Sequence, residues 1–202
     1  MRAYKFLDAE GRGPFTGVLW PVGAWVERSD AVPCHDGVHG VLPDDLSHWL
    51  AASLWEVELD GKVVEARHKV VGSRGRLVRR IDDYGDAVRE LAEVGAWRCR
   101  DRAVAALGAD DPGFAAASTL EELAALGGSV DDSTFAGAAA ALAGDAAHFA
   151  LHGLPAQSPF VAACSAGHAA AGPSGDQGAY EEGYAAERAF QSAWLADRLG
   201  LA

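Results

Sequence analysis

Between Pro33 and Leu50 the chain gathers one thiol (Cys34), three imidazoles (His35, His39, His48) and three carboxylates (Asp36, Asp44, Asp45) around Gly37 and Gly40. An imidazole can exchange protons near neutral pH, and a thiol can act as a nucleophile. Thiolate and imidazole are also good zinc ligands, but the spacing matches no standard structural zinc site and no second cysteine pair exists. Three readings follow. In the first, a small-molecule pocket uses Cys34 and His39 for chemistry and His35 and His48 for ligand contact. In the second, the group holds a metal. In the third, Cys34 packs as a small apolar residue and the histidines bond to backbone. No residue set is assigned to a metal, and no cofactor follows from the sequence.

A second group is basic: Arg67, His68, Lys69, Arg74, Arg76, Arg79 and Arg80. Arg74 and Arg76 flank Gly75 in an expected loop, where guanidinium and backbone N–H groups could hold a phosphate. The alternative is that these arginines pair with an acidic helical half. A third group is helical: Asp145, His148 and His152 share one stripe, with Cys164 and His168 one turn apart on the next helix. Opposed, they would make a metal site in a bundle. The bland reading is packed or exposed helix histidines. Trp20, Trp25, Trp49 and Trp55 supply either core or a stacking wall. Serine-nucleophile motifs, dinucleotide fingerprints and paired CxxC motifs are absent.

The elements that must position these groups fall into two textures. The expected class is α+β: a β-rich part, residues 1–81, packed against an acidic, Ala-rich helical part, residues 82–202. Trp55, Val57 and Leu59 alternate with Glu56 and Glu58, the period of a half-buried strand. Asp60-Gly61 then suits a two-residue hairpin turn, with Lys62 to Ala66 returning. Residues 43–52 are expected to be helical from Pro43. Helices are expected over 83–107, 134–152, 159–171 and 179–199, and Ser118 to Glu121 matches a capping box.

The 202 residues carry a net charge of −12, which argues against a nucleic-acid or anionic-membrane partner. The charge is uneven. Residues 61–80 hold seven basic and one acidic side chain, while no Lys or Arg lies between Arg102 and Arg188. Any anionic small molecule would therefore be drawn to the basic stretch. Three scattered cysteines suit a reducing cytoplasm, and no apolar run is long enough to span a bilayer. A homo-oligomer is the expected form if the protein acts by association instead.

Trp20 to Val26, Pro33 to His39, Leu46 to Leu50, Leu54 to Gly61, Arg74 to Arg80 and Ala186 to Leu195 together resemble an uncharacterised protein family of high-GC, actinobacteria-like bacteria. That likeness implies no mechanism. The Cys-x-x-Gly-x-His order followed by a short helix and a strand is similar to small ADP-ribosyltransferase-like folds. This resemblance implies that His39 contacts the ribose of NAD; no catalytic glutamate matches. The combined expectation is an anionic or nucleotide-like ligand bound between Cys34–His39 and Arg67–Arg80. Two alternatives stand beside it: a non-catalytic interaction protein, and a metal-binding helical protein.

Overall fold

The computed structural model describes residues 1–108 and 112–201 and shows an α+β chain. The strands are β1 (Arg2–Leu7), β2 (Val26–Glu27), β3 (Val38–Gly40), β4 (Ser53–Ala66) and β5 (Lys69–Arg80). The helices are α1 (Tyr84–Leu107), α2 (Pro112–Ala116), α3 (Leu120–Gly127), α4 (Phe135–Leu151), α5 (Ser158–Ala171) and α6 (Gln177–Leu199). Two compact units result. One comprises Met1–Ala87 with Ser192–Ala202, and the other Val88–Gln191. The division therefore falls inside α1 rather than at residue 81, and the last turns of α6 group with the strands.

In the first unit β1, β4, β5 and β2 follow in that order, all antiparallel, and β3 also pairs with β5. Tyr4 and Val41 exchange both backbone hydrogen bonds, at 2.9 and 2.7 Å. Through that bridge β1, β4, β5 and β3 form a closed circuit, which leaves few strand edges unpaired. Inside it pack Ala3, Val38, Val57, Leu59, Val70 and Leu77, with Trp20 alongside. Gly75 permits this tight curvature: a Cβ there would lie 2.7 Å from Val38 Cγ1.

The hairpin is longer than expected. β4 continues through Asp60-Gly61 and turns at Arg67-His68, where Ala66 pairs with Lys69. The positive φ of Gly61 serves a β-bulge instead: Asp60 faces Arg74 and Val63 faces Gly72, leaving one residue extra on β4. For the same reason Gly72 to Arg76 is strand interior, not a loop. The expected helix over 43–52 is a single 3-10 segment, Pro43–His48.

The second unit is helical and packs through small side chains. Ala139, Ala140, Ala143, Ala146 and Ala147 of α4 are all buried. Ser158 Oγ lies within hydrogen-bond reach of the carbonyls of Ala92 and Ala146, 3.1 and 3.0 Å away. The capping box sits one residue later than expected. Thr119 Oγ1 accepts from the Glu122 N–H, and the Glu122 carboxylate accepts from Thr119 N–H. Glu187 is fully buried and is held by the Arg98 and Arg102 guanidiniums. Among the described residues no helix is long and apolar enough to cross a membrane.

Candidate functional site

A cavity of about 560 Å³ opens on the first unit, where β1 meets β3. Three strands and the loops between them supply its walls. β1 gives Tyr4, Lys5 and Phe6; β3 gives His39; the first residue of β5 is Lys69. Phe15, Arg28, the Cys34–Gly37 segment and Trp49 complete it.

The Cys34–Gly37 segment is folded by its own polar groups. Val32 and Asp36 pair through their backbones. The Asp36 carboxylate accepts from Ser29 Oγ and from the backbone N–H groups of Asp30 and Gly37. The Ser29 hydroxyl and those amides hold its carboxyl below the usual carboxylate range. Cys34 consequently adopts a left-handed backbone with φ of 63°, uncommon for a residue with a Cβ. This presents the thiol to solvent beside the Lys69 ammonium, 2.6 Å from Sγ.

His39 is half-buried, and both its ring nitrogens are engaged by backbone. Nδ1 lies 3.2 Å from the Gly37 carbonyl oxygen and Nε2 accepts the Cys34 N–H at 3.1 Å. Those partners fix the neutral Nδ1–H tautomer. Burial, then the charges of Lys5 and Lys69, push its pKa below the ordinary histidine value. In this arrangement both ring nitrogens of His39 have backbone partners, and the ring orders the Cys34 loop. Of the two expected catalytic residues, Cys34 alone keeps its reactive atom open to the cavity.

Lys5 is a cavity group that the sequence patterns did not single out. Its ammonium donates to the His39 carbonyl at 2.9 Å and lies 4.2 Å from the centre of the Trp20 ring. Burial, reinforced by the Arg28 charge, lowers its pKa to about 8. A lysine set among Ala3, Tyr4, Phe6 and Leu7 is the signal that could have found it. The apolar side of the cavity is Trp49 and Phe15, in edge-to-face contact at 6.1 Å, with the Lys69 ammonium 5.3 Å from the Trp49 ring.

Arg74 and Arg76 are not among the residues lining this cavity. They lie on β5, ion-paired across the ladder with Asp60 at 3.7 Å and Glu58 at 2.7 Å, and both stack over Trp25. Arg79 pairs with Glu56 in the same way. The acids they meet are on β4, not on the helices. His35 lines the cavity and is exposed; His48 does not line it, and stacks on His68 instead. In the helical unit His148 and His152 stack on each other, while His168 packs between Phe135 and Tyr180. Among the described residues these helical histidines complete no group of three metal-ligand atoms.

Comparisons of the chain with protein-family models, with curated proteins and with solved structures found no match.

Proposed function

We propose that the first unit binds a small organic anion, a carboxylate or phosphate carrying a flat apolar portion. One observation carries this reading. Lys5, Arg28 and Lys69 converge on a cavity whose only lining carboxylate among the described residues, Asp36, is already satisfied by its own loop. The chain has three lysines, Lys5, Lys62 and Lys69, and two of them face this one cavity. In a protein of net charge −12 such a convergence focuses a positive potential where most of the surface repels anions. A volume of about 560 Å³ suits a metabolite-sized ligand. Trp49 and Phe15 supply the apolar wall, and Cys34 a reactive thiol.

The test is a thermal-shift screen of carboxylates, sugar phosphates and nucleotides, followed by calorimetry. A hit should bind the wild type, bind at least tenfold more weakly to Lys69→Met, and bind Arg76→Ala unchanged. Protection of Cys34 from alkylation by the same hit places it in the cavity. Binding lost in Arg76→Ala but kept in Lys69→Met would overturn the reading, as would no hit at millimolar concentration.

A second reading rests on a different observation. Phe15, Val18, Leu19 and Val22 are exposed within eight residues, Phe15 by 85 %. An exposed apolar segment of this kind supports self-association. Sedimentation of wild type and Leu19→Ser separates the two: an assembly that dissociates in the variant favours association.

A further inference from the structure

The chain holds a second constellation on the same unit, which the cavity does not use. Asp45, His48 and His68 each offer a ligand atom, and the three atoms lie within 4.8 Å of one another. Their placement follows from local structure. Asp45 and His48 are three residues apart on the Pro43–His48 segment, and a 3-10 helix with three residues per turn puts such pairs directly in line. His68 arrives from the β4–β5 turn in a left-handed conformation, φ of 57°, a backbone state that usually selects Gly or Asn. Trp49 Nε1 donates to the His68 carbonyl and pins that turn. The result is His68 Nδ1 at 2.7 Å from Asp45 Oδ1, and the His48 and His68 rings stacked with centroids 3.7 Å apart and planes 15° apart. All three residues are partly buried.

We propose that Asp45, His48 and His68 form a binding site for a divalent transition metal, with zinc as the probe. Carboxylate plus two imidazoles is a ligand set that zinc and its neighbours in the first row accept, leaving at least one position for water. Ligands about 2.0–2.1 Å from a tetrahedral zinc lie roughly 3.3 Å apart. The present separations, from 2.7 Å to under 4.8 Å, bracket that spacing, and the two stacked rings must splay for their in-plane lone pairs to meet on one ion. Coordination through His68 Nδ1 places that ring's proton on Nε2. Arg67 Nε now donates to Nε2 at 3.2 Å and must turn away when metal binds; its exposed side chain has room to do so. The proton merely changes nitrogen, through solvent. Each histidine directly precedes a cavity-lining residue, Trp49 or Lys69, so bound metal would sit beside the cavity wall.

The experiment uses the full chain without a polyhistidine tag, stripped with chelator and titrated with Zn²⁺ by calorimetry. Wild type should bind one equivalent with micromolar or tighter affinity. Asp45→Asn and His68→Asn should each weaken binding at least tenfold, and Cys34→Ser should not. Asn suits position 68 because it tolerates the left-handed backbone. An independent readout needs no variant: substoichiometric Co²⁺ should broaden the ring protons of His48 and His68 before those of His148 and His152. The proposal is overturned by affinity weaker than millimolar, by broadening of the helical histidines first, or by loss in Cys34→Ser with the Asp45 and His68 variants unchanged. Anion binding in the cavity is measured with chelator present, so failure of either site leaves the other standing.

Discussion

His39 Nε2 accepts the backbone N–H of Cys34 at 3.1 Å, so a ring on β3 sets the conformation of the loop that carries the thiol. The imidazole acts on Cys34 through the main chain, not through Sγ. A histidine beside a cysteine in sequence usually invites a catalytic interpretation, and here the hydrogen bonds direct it elsewhere.

His39→Ala should therefore cost stability, about 0.5–1.5 kcal/mol for the lost hydrogen bond, because the Cys34 amide is exposed and water can replace the ring. The cost should depend on pH. The folded-state pKa of His39 is lowered, so the unfolded chain takes up its proton first as pH falls. Its contribution is fully present above about 6.5, the ordinary histidine value, and is lost as pH falls through the lowered folded-state pKa. Urea denaturation of wild type and variant at neutral and acidic pH should show the difference narrowing in acid. A gap that widens in acid contradicts the assignment of a neutral ring.

Lys5, with its pKa lowered to about 8, should give anion binding a pH dependence of its own. Only the protonated ammonium attracts an anion. The affinity of any cavity ligand should fall as pH rises through about 8, approaching tenfold per unit beyond it. In Lys5→Met the affinity should be lower and its fall across that range shallower. Calorimetry between pH 7 and 9 at constant ionic strength, with a ligand that does not itself titrate there, checks this. A wild-type profile as flat as the variant's would remove Lys5 from the site.

Gly61→Val should destabilise the sheet by about 1–3 kcal/mol, because a β-branched residue resists positive φ and its Cβ would run into Ser73 Oγ. Ser73 Oγ also accepts the Lys62 N–H at 3.0 Å, so the bulge and its partner are disturbed together. Urea midpoints give the measurement. An unchanged midpoint would mean the bulge tolerates a negative φ.

That glycine also shows what sequence could and could not convey. Asp60-Gly61 marks a place where φ must be positive, and a tight turn and a β-bulge make the same demand. The alternation of Trp55 to Leu59 identified the strand; nothing local said that it continues for seven residues beyond. The true turn carries His68 in a conformation that composition does not advertise. Gly72 and Gly75 look like loop residues until Leu59 and Val38 are seen pressed against them. The Cys34–His39 side of the cavity was legible because its residue types are unusual together. Arg74 and Arg76 misled because a charge surplus counted along the chain ignores partners across a ladder, here Asp60 and Glu58. Lys5 carried a signal, a charge among Ala3, Tyr4, Phe6 and Leu7, but no spacing that ties it to Cys34 or Lys69.

The return of residues 192–201 to the strand-rich unit bears on the order in which the protein can be made. Ser47 and Ser192, 145 positions apart, meet through Ser192 Oγ, which takes the Ser47 N–H at 3.1 Å and lies 3.0 Å from the Ser47 hydroxyl oxygen. On the ribosome the five strands emerge first, yet this partner is translated only after the whole helical unit. At roughly 5–20 residues per second the first unit waits many seconds, lacking its final piece, while residues 88–191 fold as a local, helical body. Contacts of such long sequence separation form late and slowly. The strand-rich unit, although it is synthesised first, is thus the last to be finished.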